Sequence, residues 1–466
     1  MEQYLLPVPT PGRRRSPPSS PAAAAAAAGP PHDPPSPSAV RRYHPQPDHL
    51  HHHHIISTAC DVNNDVNSSS SSCCCLLPLD VIRSILSKLP VRSILRFRSV
   101  SSSWNQLISE PTFVESQLAE ANKKPPRILV LTNHNFDSDP TNKIALHALA
   151  EGEEEEEEEP RRRRLLFERE LASNESSTMM LPYDCDGLVL LYSKTDICVC
   201  NPATGETLHL PGFSHGRPLY KDPVQYLGFG LDPVTNLYKV VHFYFHSFDF
   251  SDPGETYWEV GLEVFTLGRE FQSWRQIDDP TLCWFCPRHD SVSANGSLYW
   301  ITNNFSIISF RLGDEGLRQL LPPPAAMVYP PQNFPPTRKG DTFIISGGGA
   351  RLWYVKVNRD AITYDIWELT DERTHSWKSI HRICFQMLAT EPILAIPVLV
   401  IRDGRYILLS NQEKLQLYDI VTKECKTMLT IEEEDDVNCV DGATLLCPSP
   451  YRETLVSMHV VPKSCY

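Results

Sequence analysis

Cys283-Trp284-Phe285-Cys286 is the spacing in this chain that comes nearest to chemistry. A C-x-x-C pair can supply half of a zinc site, or cycle between dithiol and disulfide. Zinc needs a second pair, and the next cysteine along the chain is Cys384. A redox pair needs a thioredoxin-like βαβ context, which the flanking residues do not provide. The two cysteines therefore read as small apolar residues of a core or loop. His51–His54 and Cys73–Cys75 are metal-ligand types, but low complexity accounts for both runs. Gly347-Gly348-Gly349-Ala350-Arg351 lacks the Gly-Lys-Ser/Thr ending of a phosphate loop and reads as a tight turn between strands. Arg161–Arg164 directly follows the glutamates Glu153–Glu159, which neutralise part of its charge, so it does not read as an import signal. No G-x-S-x-G elbow and no H-E-x-x-H helix is expected, and no His, Asp and Ser can be assigned to one site. The chain is expected to be non-catalytic, with no catalytic residue, metal site or cofactor.

Charge and composition narrow the partners. The formal net charge is −14, yet residues 151–170 hold ten acids and five arginines, and Glu432–Asp436 add five acids. Ten of the fourteen negative charges thus sit in two runs, and the remainder is nearly balanced. No basic face able to neutralise phosphates is visible, so no nucleic-acid partner is expected. No apolar run nears the ~20 residues that span a bilayer. The run Ile393–Ile401 is short and contains Pro397, and no membrane partner is expected. The Pro/Arg-rich start lacks the apolar core of a secretory signal. The 14 cysteines are scattered rather than framed, which suits a reducing compartment. The expected location is cytoplasm, nucleus or both. Residues 1–75 hold 13 of the 41 prolines, the run Ala22–Ala28 and Ser68–Ser72. They carry too few apolar residues to offset the entropy of ordering and are expected to form a disordered tail.

The elements able to present a binding surface begin at residue 76. Val81, Ile82, Ile85, Leu86 and Leu89 recur at helical spacing and form one apolar stripe. Pro78 suits a first helical position, and Asp80 lies near the positive end of the helix dipole. Pro90 stops this helix near Lys88. Ile94, Leu95 and Phe97 form a second cluster. Val100, Trp104, Leu107 and Ile108 stripe a third helix, and Pro111 opens a fourth. A unit this small cannot bury all its apolar surface internally, so a partner helix or groove is expected.

The order of these residues resembles an F-box. The matching pieces are Leu77-Pro78-Leu79-Asp80-Val81, Ile85-Leu86, Leu89-Pro90-Val91, Leu95-Arg96-Phe97-Arg98, Val100, Ser103-Trp104 and Leu107-Ile108. Ser99–Trp104 departs from the Cys-Val-Cys-Lys-Ser-Trp-like run of the plant family; Val100 and Trp104 are kept, but the lysine and its polar rim contact are lost. The resemblance implies docking onto the Skp-type linker subunit of a cullin–RING ubiquitin ligase. The implied partner-binding set is Leu77, Pro78, Val81, Ile82, Ile85, Leu86, Leu89, Pro90, Leu95, Phe97, Val100, Trp104 and Leu107. Leu77, Pro78, Val81, Ile82, Ile85 and Leu89 would supply much of the apolar contact, while Leu95, Val100 and Trp104 fix the helix arrangement. An ordinary three-helix packing module is the alternative that the residues alone leave open.

After residue 180 short β-rich runs alternate with Gly, Asn, Asp and Pro turns. Gly187–Tyr192, Asp196–Cys200, the turn Asn201–Gly205 and Thr207–Leu210 make one unit. The layout returns at Gly296–Leu321 and Tyr406–Leu429, and in longer form from Gly228 to Ile277. Trp367–Leu369 with Ser376–Ile380 repeats the second half of that longer form. Sheets this small cannot stand alone, so stacking around an axis is expected: about six blades over residues 183–466. A strand at Thr454–Val461 pairing near Arg127–Leu131 would close the ring. A two-sheet β-sandwich is the alternative.

This region resembles the F-box-associated domain of land-plant F-box proteins, which overlaps in pattern with kelch propellers. The matches are Cys185-Asp186-Gly187-Leu188, Cys200-Asn201-Pro202-Ala203-Thr204-Gly205, Leu227-Gly228-Phe229-Gly230, Tyr238-Lys239-Val240-Val241, Ser273-Trp274-Arg275 and Asn295-Gly296-Ser297-Leu298-Tyr299-Trp300. The expected fold is α+β and multidomain: a tail (1–75), a helical F-box (76–120), a linker and first strand with a charged insertion at 151–170 (121–180), and a propeller-like β domain (181–466). The two resemblances imply a substrate adaptor of an SCF-type ligase, with the Skp-type subunit and through it a cullin as partners, and an unidentified protein as target. Rivals are a scaffold or regulator working outside a ligase, and a propeller enzyme, which would need acids converging at the axis. Trp284, Phe285, Tyr329, Phe334 and Trp353 suit target contacts, but blade core is favoured for most of them. Pro322–Pro336 reads as an extended loop between blades.

Overall fold

The computed structural model describes residues 77–134, 143–149, 163–170, 179–181, 185–193, 196–213, 226–249, 257–268, 273–277, 291–302, 306–324, 342–347, 351–358, 363–384, 396–401, 404–410, 414–430 and 447–458. The expected tail, the C-x-x-C at 283–286, the glutamate run and most of the proline-rich segment lie outside these residues.

Four helices open the described chain: α1 (Leu79–Leu86), α2 (Val91–Phe97), α3 (Ser102–Ser109) and α4 (Pro111–Asn122). Prolines punctuate them. Pro78 and Pro90 sit at the residue before α1 and α2 with φ of −53° and −57°, so Pro78 precedes the first helical position rather than filling it. Pro111 is the first residue of α4, where its missing N–H costs nothing. Ser101 caps α3 by accepting the Trp104 N–H at 3.2 Å. Leu86, Val91, Ile94, Leu107, Ile108 and Phe113 form the helical core.

The remaining elements are six four-stranded antiparallel sheets, a six-bladed propeller. The first blade holds β1 (Arg127–His134), β2 (Lys143–Leu149) and β3 (Arg163–Glu170). The second holds β4 (Met179–Met180), β5 (Val189–Tyr192), β6 (Ile197–Asn201) and β7 (Glu206–His209). The third comprises β8 (Tyr226–Leu231), β9 (Tyr238–Asp249), β10 (Tyr257–Thr266) and β11 (Arg275–Ile277). Blade four is β12 (Val292–Ala294), β13 (Ser297–Ile301), β14 (Ile307–Arg311) and β15 (Leu317–Leu320). Blade five is β16 (Thr342–Gly347), β17 (Arg351–Asn358), β18 (Thr363–Asp371) and β19 (Ser376–Cys384). Blade six is β20 (Ile396–Ile401), β21 (Tyr406–Ser410), β22 (Lys414–Asp419) and β23 (Cys425–Thr430). The last strand, β24 (Cys447–Tyr451), returns to the first blade and pairs with β1.

Ring closure therefore uses β1 as expected, but the closing strand is Cys447–Tyr451 and not Thr454–Val461. Pro448 and Pro450 lack the N–H that a strand ladder uses. Two residues apart, both lose their N–H on the same edge of β24, the one turned away from β1, so the pairing survives. Residues 452–458 continue without regular structure.

The first blade also absorbs residues expected to lie in a linker and charged insertion. β2 and β3 are paired strands, and Arg163–Glu170 is the outermost strand of its sheet. Charges are tolerated there because an outer strand exposes one edge to water. Trp353 is buried in β17 and belongs to the core of blades five and six.

Candidate partner-docking site

The apolar stripe of the helical unit divides between two environments. Leu77 (54 % exposed), Leu79, Val81 (40 %), Ile85 (48 %) and Val100 (61 %) stand open to solvent. Pro78 and Pro90 are exposed beside them, while Ile82, Leu89, Leu95, Phe97 and Trp104 are half-buried. Leu86 and Leu107, expected in the partner-contacting set, lie instead inside the helical core. Val100, expected to fix the helix arrangement, is one of the most exposed apolar side chains and fixes nothing internally. That packing role falls to Trp104, whose ring meets Phe97 edge-on at 5.3 Å. Leu79, left out of the expected set, joins the exposed side chains; the Leu77–Val81 run was the signal for it.

The rest of the helical unit is braced against the propeller. Residues 452–458, which follow the closing strand, run between them. Gln117 of α4 donates from Nε2 to the Glu453 carbonyl (3.2 Å) and accepts the Leu455 N–H at Oε1 (3.1 Å). Leu455 inserts its side chain among Leu86, Ile94 and Phe113. From the propeller side Asn201 Nδ2 donates to the carbonyls of Thr454 (3.0 Å) and Val456 (2.9 Å), while Asn201 Oδ1 accepts the Ala203 N–H (3.0 Å). The Glu453 carboxylate takes Arg127 of β1 (2.9 Å) and Arg164 of β3 (3.0 Å). Asp186 accepts the Thr454 hydroxyl at its backbone carbonyl (2.6 Å) and the Tyr238 hydroxyl at its side chain (2.8 Å). Burial pushes the Asp186 carboxyl above the usual range, an effect that the Tyr238 hydrogen bond and Arg452 reduce.

Groups able to do chemistry elsewhere resolve into structural networks. Asp196, Cys198 and His209 bring an oxygen, a sulfur and a nitrogen within 4.8 Å of one another. Arg169, however, places Nη1 2.9 Å from Asp196 Oδ2 and 3.4 Å from Cys198 Sγ, so a guanidinium already supplies the positive charge. Burial raises the Asp196 pKa, but the hydrogen bonds from His209 and Arg169 outweigh it and hold the carboxyl below its ordinary value. Lys239 is buried between Asp232 (2.7 Å) and Glu315 (2.9 Å) and donates to the Leu312 carbonyl, a bolt between blades three and four. Against the expectation that no G-x-S-x-G elbow is present, Gly212-Phe213-Ser214-His215-Gly216 has that spacing. A nucleophile elbow needs a strand-to-helix turn. Gly212 and Phe213 follow β7 without helix, and Phe213 packs on His242 at 3.7 Å; Ser214–Gly216 lie outside the described residues.

A short helical unit with several exposed apolar side chains is thus held on a six-bladed propeller. Residues 74–116 match the F-box domain, and residues 141–435 match the F-box associated beta propeller domain. The chain belongs to the F-box proteins that carry this propeller. An F-box/LRR-repeat protein of Arabidopsis thaliana is 25 % identical over 406 residues, 82 % of this chain and 83 % of the relative. An F-box protein of the same plant is 29 % identical over 253 residues, 53 % of this chain and 54 % of its own length. Among solved structures, the beta-propeller domain of Cps50 (Swd1) from Myceliophteria thermophila covers 63 % of this chain and 81 % of its own at 10 % identity, with a TM-score of 0.34, too low to carry an argument. An F-box on an F-box-associated propeller is, in general, the arrangement of a non-catalytic substrate adaptor. Among the described residues no helix is long and apolar enough to cross a membrane.

Proposed function

We propose that this chain is the substrate-recognition adaptor of an SCF-type cullin–RING ubiquitin ligase, acting in cytoplasm, nucleus or both. The F-box docks on the Skp-type linker subunit and through it on a cullin, and the propeller holds a target protein for ubiquitination by the other subunits. The observation that carries this reading is the exposure of five apolar side chains, Leu77, Leu79, Val81, Ile85 and Val100, on a helical unit whose core also takes in Leu455. Full burial of each such side chain is worth about 1.5–3 kcal/mol, so four or five together can outweigh the cost of association. The adaptor contributes proximity: a target held beside the loaded carrier reacts at a raised effective concentration.

Co-purification with a Skp-type subunit and its cullin tests the reading. Wild-type chain should capture both, and Leu77→Ser/Val81→Ser should capture neither while remaining folded. Retained capture by the variant, or none by the wild type, overturns the docking model. Capture of the linker subunit without a cullin overturns the ligase assignment.

A further inference from the structure

A second surface lies where α2 faces the first blade. Arg92 and Arg96 of α2, Arg164 of β3, Leu95, Leu165 and Pro202 line an open groove of about 490 Å³. Among the described residues no carboxylate contributes to its lining. Arg92 and Arg96 are exposed, one helical turn apart, and neither has an ion-pair partner among the described residues. Like charges at this spacing disfavour a helix, so they are costly to the fold unless something outside it answers them. Arg164 shares the single Glu453 carboxylate with Arg127, which leaves positive charge in excess at the groove's far wall. Leu95, Leu165, Leu166, Pro202 and Ala203 supply apolar lining, and Leu165 is 52 % exposed. β3 ends its sheet, so one edge of its backbone is not taken by the ladder.

We propose that this groove binds a short acidic peptide segment of a partner protein, laid extended along β3, with a leucine-sized side chain on the apolar lining and carboxylates against Arg92, Arg96 and Arg164. Paired guanidiniums favour carboxylates over neutral amides, and the unpaired strand edge can hydrogen-bond an extended backbone. A nucleic acid fits less well. Among the described residues the lining offers no aromatic ring on which a base could stack, and its apolar side chains would go unused. The groove's lining shares no residue with the exposed set Leu77, Leu79, Val81, Ile85 and Val100 that carries the proposed linker docking, and the inference does not depend on that docking.

Fluorescence anisotropy on the full-length chain provides the test. The probe is a labelled peptide of about ten residues with four glutamates around one leucine. Its binding should saturate, weaken with added salt, and fall about tenfold in Arg92→Glu/Arg96→Glu, the loss of two charge contacts. Both arginines are exposed, so the variant should keep its wild-type circular dichroism and its melting temperature; Arg92→Gln/Arg96→Gln gives a milder version of the same loss. The proposal is overturned by no binding, by equal binding of a peptide with glutamine for glutamate, by affinity unchanged by the arginine substitutions, or by a single-stranded oligonucleotide bound more tightly at the same arginines. Binding that emerges only when Glu153–Glu159 are replaced by serine also overturns it, because the groove would then belong to the chain's own acidic run.

Discussion

Gln117 and Leu455 exchange a buried hydrogen bond that joins the last F-box helix to the segment closing the propeller: the Leu455 N–H reaches Gln117 Oε1 at 3.1 Å. The same amide donates to the Glu453 carbonyl, and Asn201 of the propeller donates to the carbonyls of Thr454 and Val456. A stretch with no regular structure thus has its backbone groups satisfied by two side-chain amides, one from each domain.

Gln117→Leu removes both bonds and leaves a buried N–H and C=O without partners. The expected loss is about 1–3 kcal/mol of stability, read by chemical denaturation. Amide exchange at Leu455 should accelerate in the same variant. Unchanged protection at Leu455 would mean that the strap is held by its apolar contacts alone.

Val81 and Leu86 lie on one helix and should respond in opposite ways. Leu86→Ala hollows the helical core and is expected to cost about 2–5 kcal/mol. Val81→Ser changes an exposed position and should move stability by no more than about 0.5 kcal/mol. Only the second should weaken capture of the linker subunit in a folded chain. Comparable destabilisation by the two would show that Val81 is covered within the chain.

Gly187 and Gly205 separate backbone strain from steric contact. Both have positive φ, +81° and +76°. A Cβ on Gly187 would lie 2.5 Å from the Arg452 carbonyl oxygen and 2.6 Å from Thr454 Oγ1, whereas one on Gly205 meets nothing within 4 Å. Gly205→Ala should cost about 1 kcal/mol from the left-handed backbone alone. Gly187→Ala should cost more, by about 1–3 kcal/mol, because the strap must shift. Equal losses in thermal denaturation would place no tension between Gly187 and the strap.

His242 makes stability depend on pH. It is buried with Nδ1 3.0 Å from Glu263 Oε1 and with Phe213 stacked on its ring. Burial holds its pKa below the ordinary value, an effect that Glu263 only partly offsets. His381 is lowered by burial in the same direction. The unfolded chain takes up protons near pH ~6.5 that the folded chain refuses. The contribution of these groups is therefore complete above that pH, and is lost as the pH falls below it toward the folded-state values. The urea midpoint should drop between pH 7.5 and 5.5, with a shallower drop in His242→Gln. An identical slope in the variant would remove His242 as a source.

The sequence by itself determined the local elements. Prolines 78, 90 and 111 and the apolar spacing between them placed the F-box helices, because helical periodicity and the missing N–H act within a few residues. Turn residues such as Asn201–Gly205 and Asn295-Gly296 marked the hairpins of the middle blades for the same reason. β3 escaped, since a strand rich in arginine and glutamate at a sheet's outer edge carries no apolar alternation. Which apolar F-box residues remain open, and which pack inward, was decided only by the tertiary structure. Periodicity identifies a stripe but not what covers it, and Leu455, from the far end of the chain, covers part of this one. The closing strand was likewise hidden: Pro448 and Pro450 are poor strand formers locally, and become acceptable only because β1 takes the edge that keeps its N–H groups.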